Sequence, residues 1–149
     1  MTSSVYGNDA SNPFGPGALT FTYLYSIITG PDSSEGISLG SFAGFNTAVT
    51  YQAPTPGVAP ILVSRSAIGD NIEFNFIPQI LPGMTSALLV VQTSSQTFNI
   101  GTATVLDNTG SPNVAILAPV AIVGTPEPAS ATFILLGMGV LASVRRFRK

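Results

Sequence analysis

The chain has 149 residues and a formal net charge of −2, with 8% charged residues against 45% hydrophobic ones. It contains neither cysteine nor histidine, which excludes disulfides, thiol chemistry, Ser-His-Asp triads and ordinary zinc sites. Four of the five basic residues fall in the last five positions, so the remainder is acidic and lacks the basic patch that marks a nucleic-acid binder.

Residues 1–17 read as a flexible N-terminal linker, because Asn12-Pro13-Phe14-Gly15-Pro16-Gly17 is dense in turn formers. They hold no Lys or Arg and no apolar run, so the basic and apolar regions of an export signal are missing here. The expectation is a signal upstream of Met1, lost by a late start or a truncation. Residues 18–28 alternate, with Leu19, Phe21, Tyr23, Tyr25 and Ile27 on one face and Thr20, Thr22 and Ser26 on the other, the period of a half-buried strand. A loop follows at 30–36. Further strands are predicted at 37–39, 47–52, 61–67, 72–77, 86–93, 97–105 and 114–122, each bounded by Gly, Pro, Asn or Asp. No segment in this body has a helical period. The prediction for residues 18–122 is a mainly β domain, an antiparallel two-layer β-sandwich of immunoglobulin-like outline, followed by one C-terminal hydrophobic helix.

The tail has three parts. Residues 123–128 form an extended linker, because Pro126 and Pro128 lack an N–H and bias their predecessors away from helix. Between them Glu127 presents one carboxylate to any basic pocket that reads extended chain. Residues 129–144 are an apolar run; as a helix its sixteen residues span about 24 Å at 1.5 Å each, short of a hydrocarbon core of about 30 Å. Residues 145–149 supply Arg145, Arg146, Arg148 and Lys149, whose long side chains can extend the span by snorkelling. Positive residues stay cytoplasmic, which places the body across the membrane. Within the predicted transmembrane helix, Gly137, Gly139 and Ser143 offer a small-residue surface for helix packing. A buried core helix seldom ends a chain on four cations, and a glycolipid-anchor signal ends in apolar residues. A transient, processed membrane anchor is the expectation.

Pro126-Glu127-Pro128, the Leu- and Gly-containing apolar run and the terminal basic cluster together resemble the PEP-CTERM sorting domain of exported proteins of Gram-negative bacteria. This tail is sometimes labelled after an ice-binding protein that ends in it. The resemblance covers about one sixth of the chain. It implies recognition by an exosortase, a membrane protease or transpeptidase, with removal near the motif and release to the cell surface or exopolysaccharide matrix. The tail says little about the body, whose own residues lead to the expectation of a structural or adhesive component without cofactor or enzymatic activity, with extracellular polysaccharide as partner. The alternative is a carbohydrate-binding module sorted by the same tail.

Other constellations in the body are weighed against plainer roles. Asp70, Asn71 and Glu73, or Asp32 with Glu35, offer oxygen ligands of the kind calcium takes, but Asp and Asn are default turn formers. Asp32 and Glu35 as a glycosidase acid and base has no supporting residue. Tyr23, Tyr25, Phe42, Phe45 and Tyr51 are candidates for an aromatic sugar platform, against the reading that alternating strand aromatics are core. Thr20-Phe21-Thr22 and Thr102-Ala103-Thr104 are too few triplets for an ice-binding ladder.

Overall fold

The computed structural model describes residues 1–28, 32–52, 57–107 and 110–121. Nine strands lie among them: β1 (Thr2–Tyr6), β2 (Thr20–Leu24), β3 (Ser34–Leu39), β4 (Thr47–Gln52), β5 (Leu62–Arg65), β6 (Ile72–Ile80), β7 (Leu88–Thr93), β8 (Phe98–Asp107) and β9 (Asn113–Pro119). They form two antiparallel sheets, one ordered β1-β2-β7-β4 and the other β5-β6-β3-β8-β9. Each of the eight predicted strands has its counterpart, with ends shifted by a few residues.

Alternation drives the packing. In β2, Phe21 and Tyr23 are fully buried, while the intervening Thr22 lies towards the opposite face. Leu89 and Val91 of β7 are the ladder partners of Tyr23 and Phe21, so the four-stranded sheet turns one continuous apolar row inward. The other sheet answers with Ile37 and Leu39 from β3, Ile72, Phe74, Phe76 and Ile80 from β6, Ala103 from β8, and Ile116 and Ala118 from β9, all in the same buried cluster. Phe42 joins it from the β3–β4 connection and meets Phe21 edge-on, with ring centroids 6.3 Å apart at 80°, a geometry suited to the ring quadrupoles. Each fully buried Ile, Leu or Phe side chain among them contributes about 1.5–3 kcal/mol by leaving water. Across the layers, the Tyr23 hydroxyl donates to the Leu117 carbonyl at 2.7 Å, and the Leu117 N–H donates to Ser3 Oγ at 3.0 Å. These bonds tie β2 and β1 to β9.

Two differences from the sequence reading concern segments taken as loops. The turn-rich composition of residues 1–17 predicts a flexible linker, yet β1 pairs with β2 along its whole length, from Thr2 opposite Leu24 to Tyr6 opposite Thr20. The stretch after β1 is also fastened. The Asn12 amide, nearly buried, donates to the carbonyls of Leu19 and Thr93 and to Thr20 Oγ1, and its Oδ1 accepts from the Phe14 N–H. Similarly, β3 begins at Ser34 inside the predicted loop, where the buried Ser34 hydroxyl donates to the Gly36 carbonyl. The pairing of β3 with β6 then jumps from Ser34 opposite Ile80 to Gly36 opposite Asn75. Four residues of β6 therefore bulge opposite Glu35, and this bulge lets the strand run on past Pro78.

Only a glycine fits one crowded point of β8. A Cβ on Gly101 would stand 2.5 Å from that of Ala118, so the hairpin of β8 and β9 closes there because no side chain intervenes. The hydrophobic helix predicted over 129–144 lies outside the described residues. No helix among the described residues is long and apolar enough to cross a membrane.

Candidate functional site: a groove on the outer face of the four-stranded sheet

The side of the four-stranded sheet turned away from the core is polar. Its ladder places Tyr6 beside Thr20 and Thr20 beside Gln92, then Thr22 beside Val90 and Val90 beside Thr50, then Leu88 beside Gln52. These residues, with Gly7, Asp9 and Ser11 from the segment after β1, line a groove of about 510 Å³. The apolar side chains of Leu88 and Val90 belong to the central strand β7, while hydroxyls and amides come from its neighbours. Tyr6 stands at the rim, 54% exposed.

One end of the groove is organised by Asp9. Its Oδ1 accepts from the Ser11 N–H at 2.9 Å and the Ser11 hydroxyl at 2.7 Å; its Oδ2 accepts from the Thr20 hydroxyl at 2.7 Å and the Gln92 amide at 3.4 Å. Gln92 also donates to Ser11 Oγ at 2.9 Å. The hydroxyl of Thr20, then those donors on Ser11, hold the Asp9 carboxyl well below the usual carboxylate range, with desolvation opposing them. Asp9 is therefore an ionised anchor that uses its acceptors internally. Farther along, the Tyr6 hydroxyl and the side chains of Thr22, Thr50 and Gln52 have no hydrogen-bond partner among the described residues. A groove with apolar walls and a few convergent, uncommitted polar groups is the usual form of a small-molecule or saccharide site.

The residues singled out from the sequence are dispersed elsewhere. Tyr23 and Phe42 are fully buried and belong to the core. Phe45 is partly buried in the β3–β4 connection, where its carbonyl accepts from Arg65 at 2.7 Å. Tyr51 pairs with Leu89 on the core side of edge strand β4, and Tyr25 is partly buried, its phenol pushed up by burial and then by the charges of Asp107 and Asp32. No common platform forms, and the burial of Tyr23 and Phe42 agrees with the plainer reading of strand aromatics as core. Tyr6, the aromatic that does stand at a groove, sits in a Ser- and Thr-rich stretch without a strong alternating signal.

The acidic candidates are also accounted for. The Asp70 carboxylate accepts from Ser66 and the Asn71 N–H donates to Ser66 Oγ, a closed turn between β5 and β6. Glu73 lies on β6 and accepts from the Ser64 hydroxyl across the ladder at 3.5 Å. Glu35 accepts from the Gln79 amide at a second hollow of about 420 Å³ formed by the β6 bulge. Among the described residues, no three acidic side chains gather as a metal site would require. Arg65, the one basic residue of the body, donates to the carbonyls of Phe42, Phe45 and Gly69, so it clips the β3–β4 connection to the β5–β6 turn.

Pro126, Glu127, Pro128, Gly137, Gly139, Ser143, Arg145, Arg146, Arg148 and Lys149 lie outside the described residues. Comparison with known proteins speaks to that tail directly: a family model described as the PEP-CTERM protein-sorting motif matches residues 125–149. No curated protein and no solved structure matches the chain. The chain is thus a β protein that carries a PEP-CTERM protein-sorting motif at its C-terminal end.

Proposed function

We propose that this chain is an exported, non-enzymatic surface or extracellular-matrix protein of a Gram-negative bacterium, delivered by its tail and acting through its β-sandwich as a structural or adhesive component. The match of residues 125–149 to the sorting motif carries this reading. The tail inserts in the inner membrane as a short helix, an exosortase recognises Pro126-Glu127-Pro128, and the body leaves for the cell surface. Low charge and abundant Ser and Thr suit a protein that works outside the cell. We read the sandwich as immunoglobulin-like in outline. Support comes from its four- and five-stranded sheets, in which β4 pairs with β7 and the next strands in the chain, β5 and β6, pair in the other sheet.

The deciding experiment is mass spectrometry of the mature C-terminus, with a functional export signal in place, from surface, medium and membrane fractions of the host. A terminus near Pro126 to Pro128 is expected. An intact Lys149 confined to the membrane fraction would replace release by permanent tethering.

The groove favours a second reading, a carbohydrate-binding module sorted in the same way. Sugar rings offer apolar CH faces and rims of hydroxyls, which Leu88, Val90 and Tyr6 on one side and Thr22, Thr50 and Gln52 on the other would meet. Affinity electrophoresis in neutral polysaccharide tests it. Retardation lost in a Tyr6→Ala, Gln52→Ala double variant and kept in Tyr25→Phe supports the module; no retardation by host polysaccharide removes it.

A further inference from the structure

The outward face of the β8–β9 hairpin carries exposed apolar side chains and is set apart from others, such as Ile28, Ile68 and Ile77, by its closeness to the point where the chain leaves the sandwich. Ala103 and Val105 point into the core, so the two-residue period turns Phe98, Ile100 and Thr102 outward. Phe98 is 50% and Ile100 75% exposed, and Val120, at the chain exit, is 38% exposed. Their places in the ladder, Phe98 opposite Pro119 and Ile100 opposite Leu117, put these side chains within a few residues of where the chain leaves the sandwich. The Val120 N–H donates to the Thr97 carbonyl at 3.2 Å, which holds that exit against the start of β8.

We propose that this patch rests on the lipid surface while the tail is anchored, so that the body docks against the membrane with its β8–β9 edge down. The proposal rests on membrane anchoring by the tail. Between Ala121 and the apolar run that starts at residue 129 stand seven residues, which reach at most about 25 Å even fully extended. Pro126 and Pro128 further restrict that connection. An apolar surface at the exit is therefore held within one short tether of the interface, and the effective concentration of such a tethered contact is high. Phenylalanine and aliphatic side chains partition into the zone between headgroups and acyl chains.

Charge confines the contact to the β8–β9 edge, because Glu73 shares the outward face of this sheet two strands away, in line with Ser38 and Thr104. Asp107 lies at the far end of β8, opposite Ser34, about 30 Å from Phe98 at 3.3 Å per residue. Asp32 and Glu35 flank Ser34 in sequence and so share that end. Asp9 belongs to the outer face of the other sheet. The outward positions of β8 near the exit are apolar or neutral, so approach to an anionic bilayer brings no carboxylate of this strand into the headgroups.

The test exploits the absence of cysteine from the chain. The full chain is reconstituted into phosphatidylethanolamine–phosphatidylglycerol vesicles with one environment-sensitive fluorophore, either on Thr102→Cys beside the patch or on Thr50→Cys in the opposite sheet. Both positions are exposed. Quenching by brominated lipid several-fold stronger at 102 than at 50 is expected, and Phe98→Ser with Ile100→Ser should erase the difference while the protein still floats with the vesicles. Equal quenching at the two positions in a floating protein overturns the docking alone. Failure to float overturns tail anchoring and the docking with it. Cysteine cross-linking of two chains through position 102 would overturn the lipid assignment in favour of a second copy.

Discussion

The two sheets hide the same kind of surface and display different ones. Behind Phe21 and Tyr23 in one layer, and Ile37 and Ala103 in the other, the strands feed a shared core. On their outward faces, the four-stranded sheet carries Thr20, Thr22, Thr50, Gln52 and Gln92 around a groove, whereas the β8–β9 corner carries Phe98 and Ile100. The core face of a strand is constrained by packing; the outer face is free to record what the sheet meets. One face presents hydroxyls and amides, the other apolar side chains near the chain exit.

The comparison breaks most completely if the common core is opened. Phe21 is fully buried and lies against Phe42, so Phe21→Ala is expected to cost about 3–5 kcal/mol, a large part of a typical domain's stability. Urea unfolding would read this as a lower midpoint, and both outer faces should lose their structure together. Two separate transitions would mean that the sheets do not share one core.

A smaller change should separate the faces. Asn12 fastens the segment after β1 to β2 and β7 through three acceptors, and Asn12→Ala leaves buried carbonyls without that donor, at a cost of about 1–3 kcal/mol. Hydrogen exchange is expected to accelerate through residues 7–17 and β1 while the β8–β9 hairpin keeps its protection. Uniform acceleration would show that the groove edge is not an independent unit.

The smallest expected effect concerns pH. The folded pKa of Asp9 is lowered by its donors, so the unfolded chain takes up that proton first as pH falls. Its stabilising contribution is present above the unfolded carboxyl pKa of about 3.9 and declines below it. Because the site faces solvent, screening keeps the contribution modest. Asp9→Asn should flatten the fall of thermal midpoint between about pH 5 and 2, and an unchanged slope would remove Asp9 as a source of acid sensitivity.

Much of the fold was legible because alternation is local. The row Leu19, Phe21, Tyr23 against Thr20 and Thr22 predicted both β2 and its inward face, and Pro, Gly, Asn and Asp marked most of the turns. Other features were less visible for identifiable reasons. β1 reads Thr-Ser-Ser-Val-Tyr, with exposed ends and a half-buried middle, and exists through pairing with β2. Ser34 looks like a loop residue, yet it lies buried because β6 and β8 flank it. The groove was missed since its residues come from four strands and the segment after β1, each unremarkable alone. The tail was the most readable part because its motif, apolar run and basic end stand in consecutive order, and the family match falls on those residues.

By itself the sequence determined the strand-rich class, the inward faces of the better strands, the lack of cysteine and histidine chemistry, and the sorting tail, because each depends on residues near one another in the chain. The tertiary structure alone decided the strand order, the inclusion of β1, the burial of Phe42 from a connection, the groove around Asp9 and Gln92, and the apolar corner beside the chain exit. These depend on which strands become neighbours, and that choice is made by the packing of two sheets around one core rather than by any local run of residues.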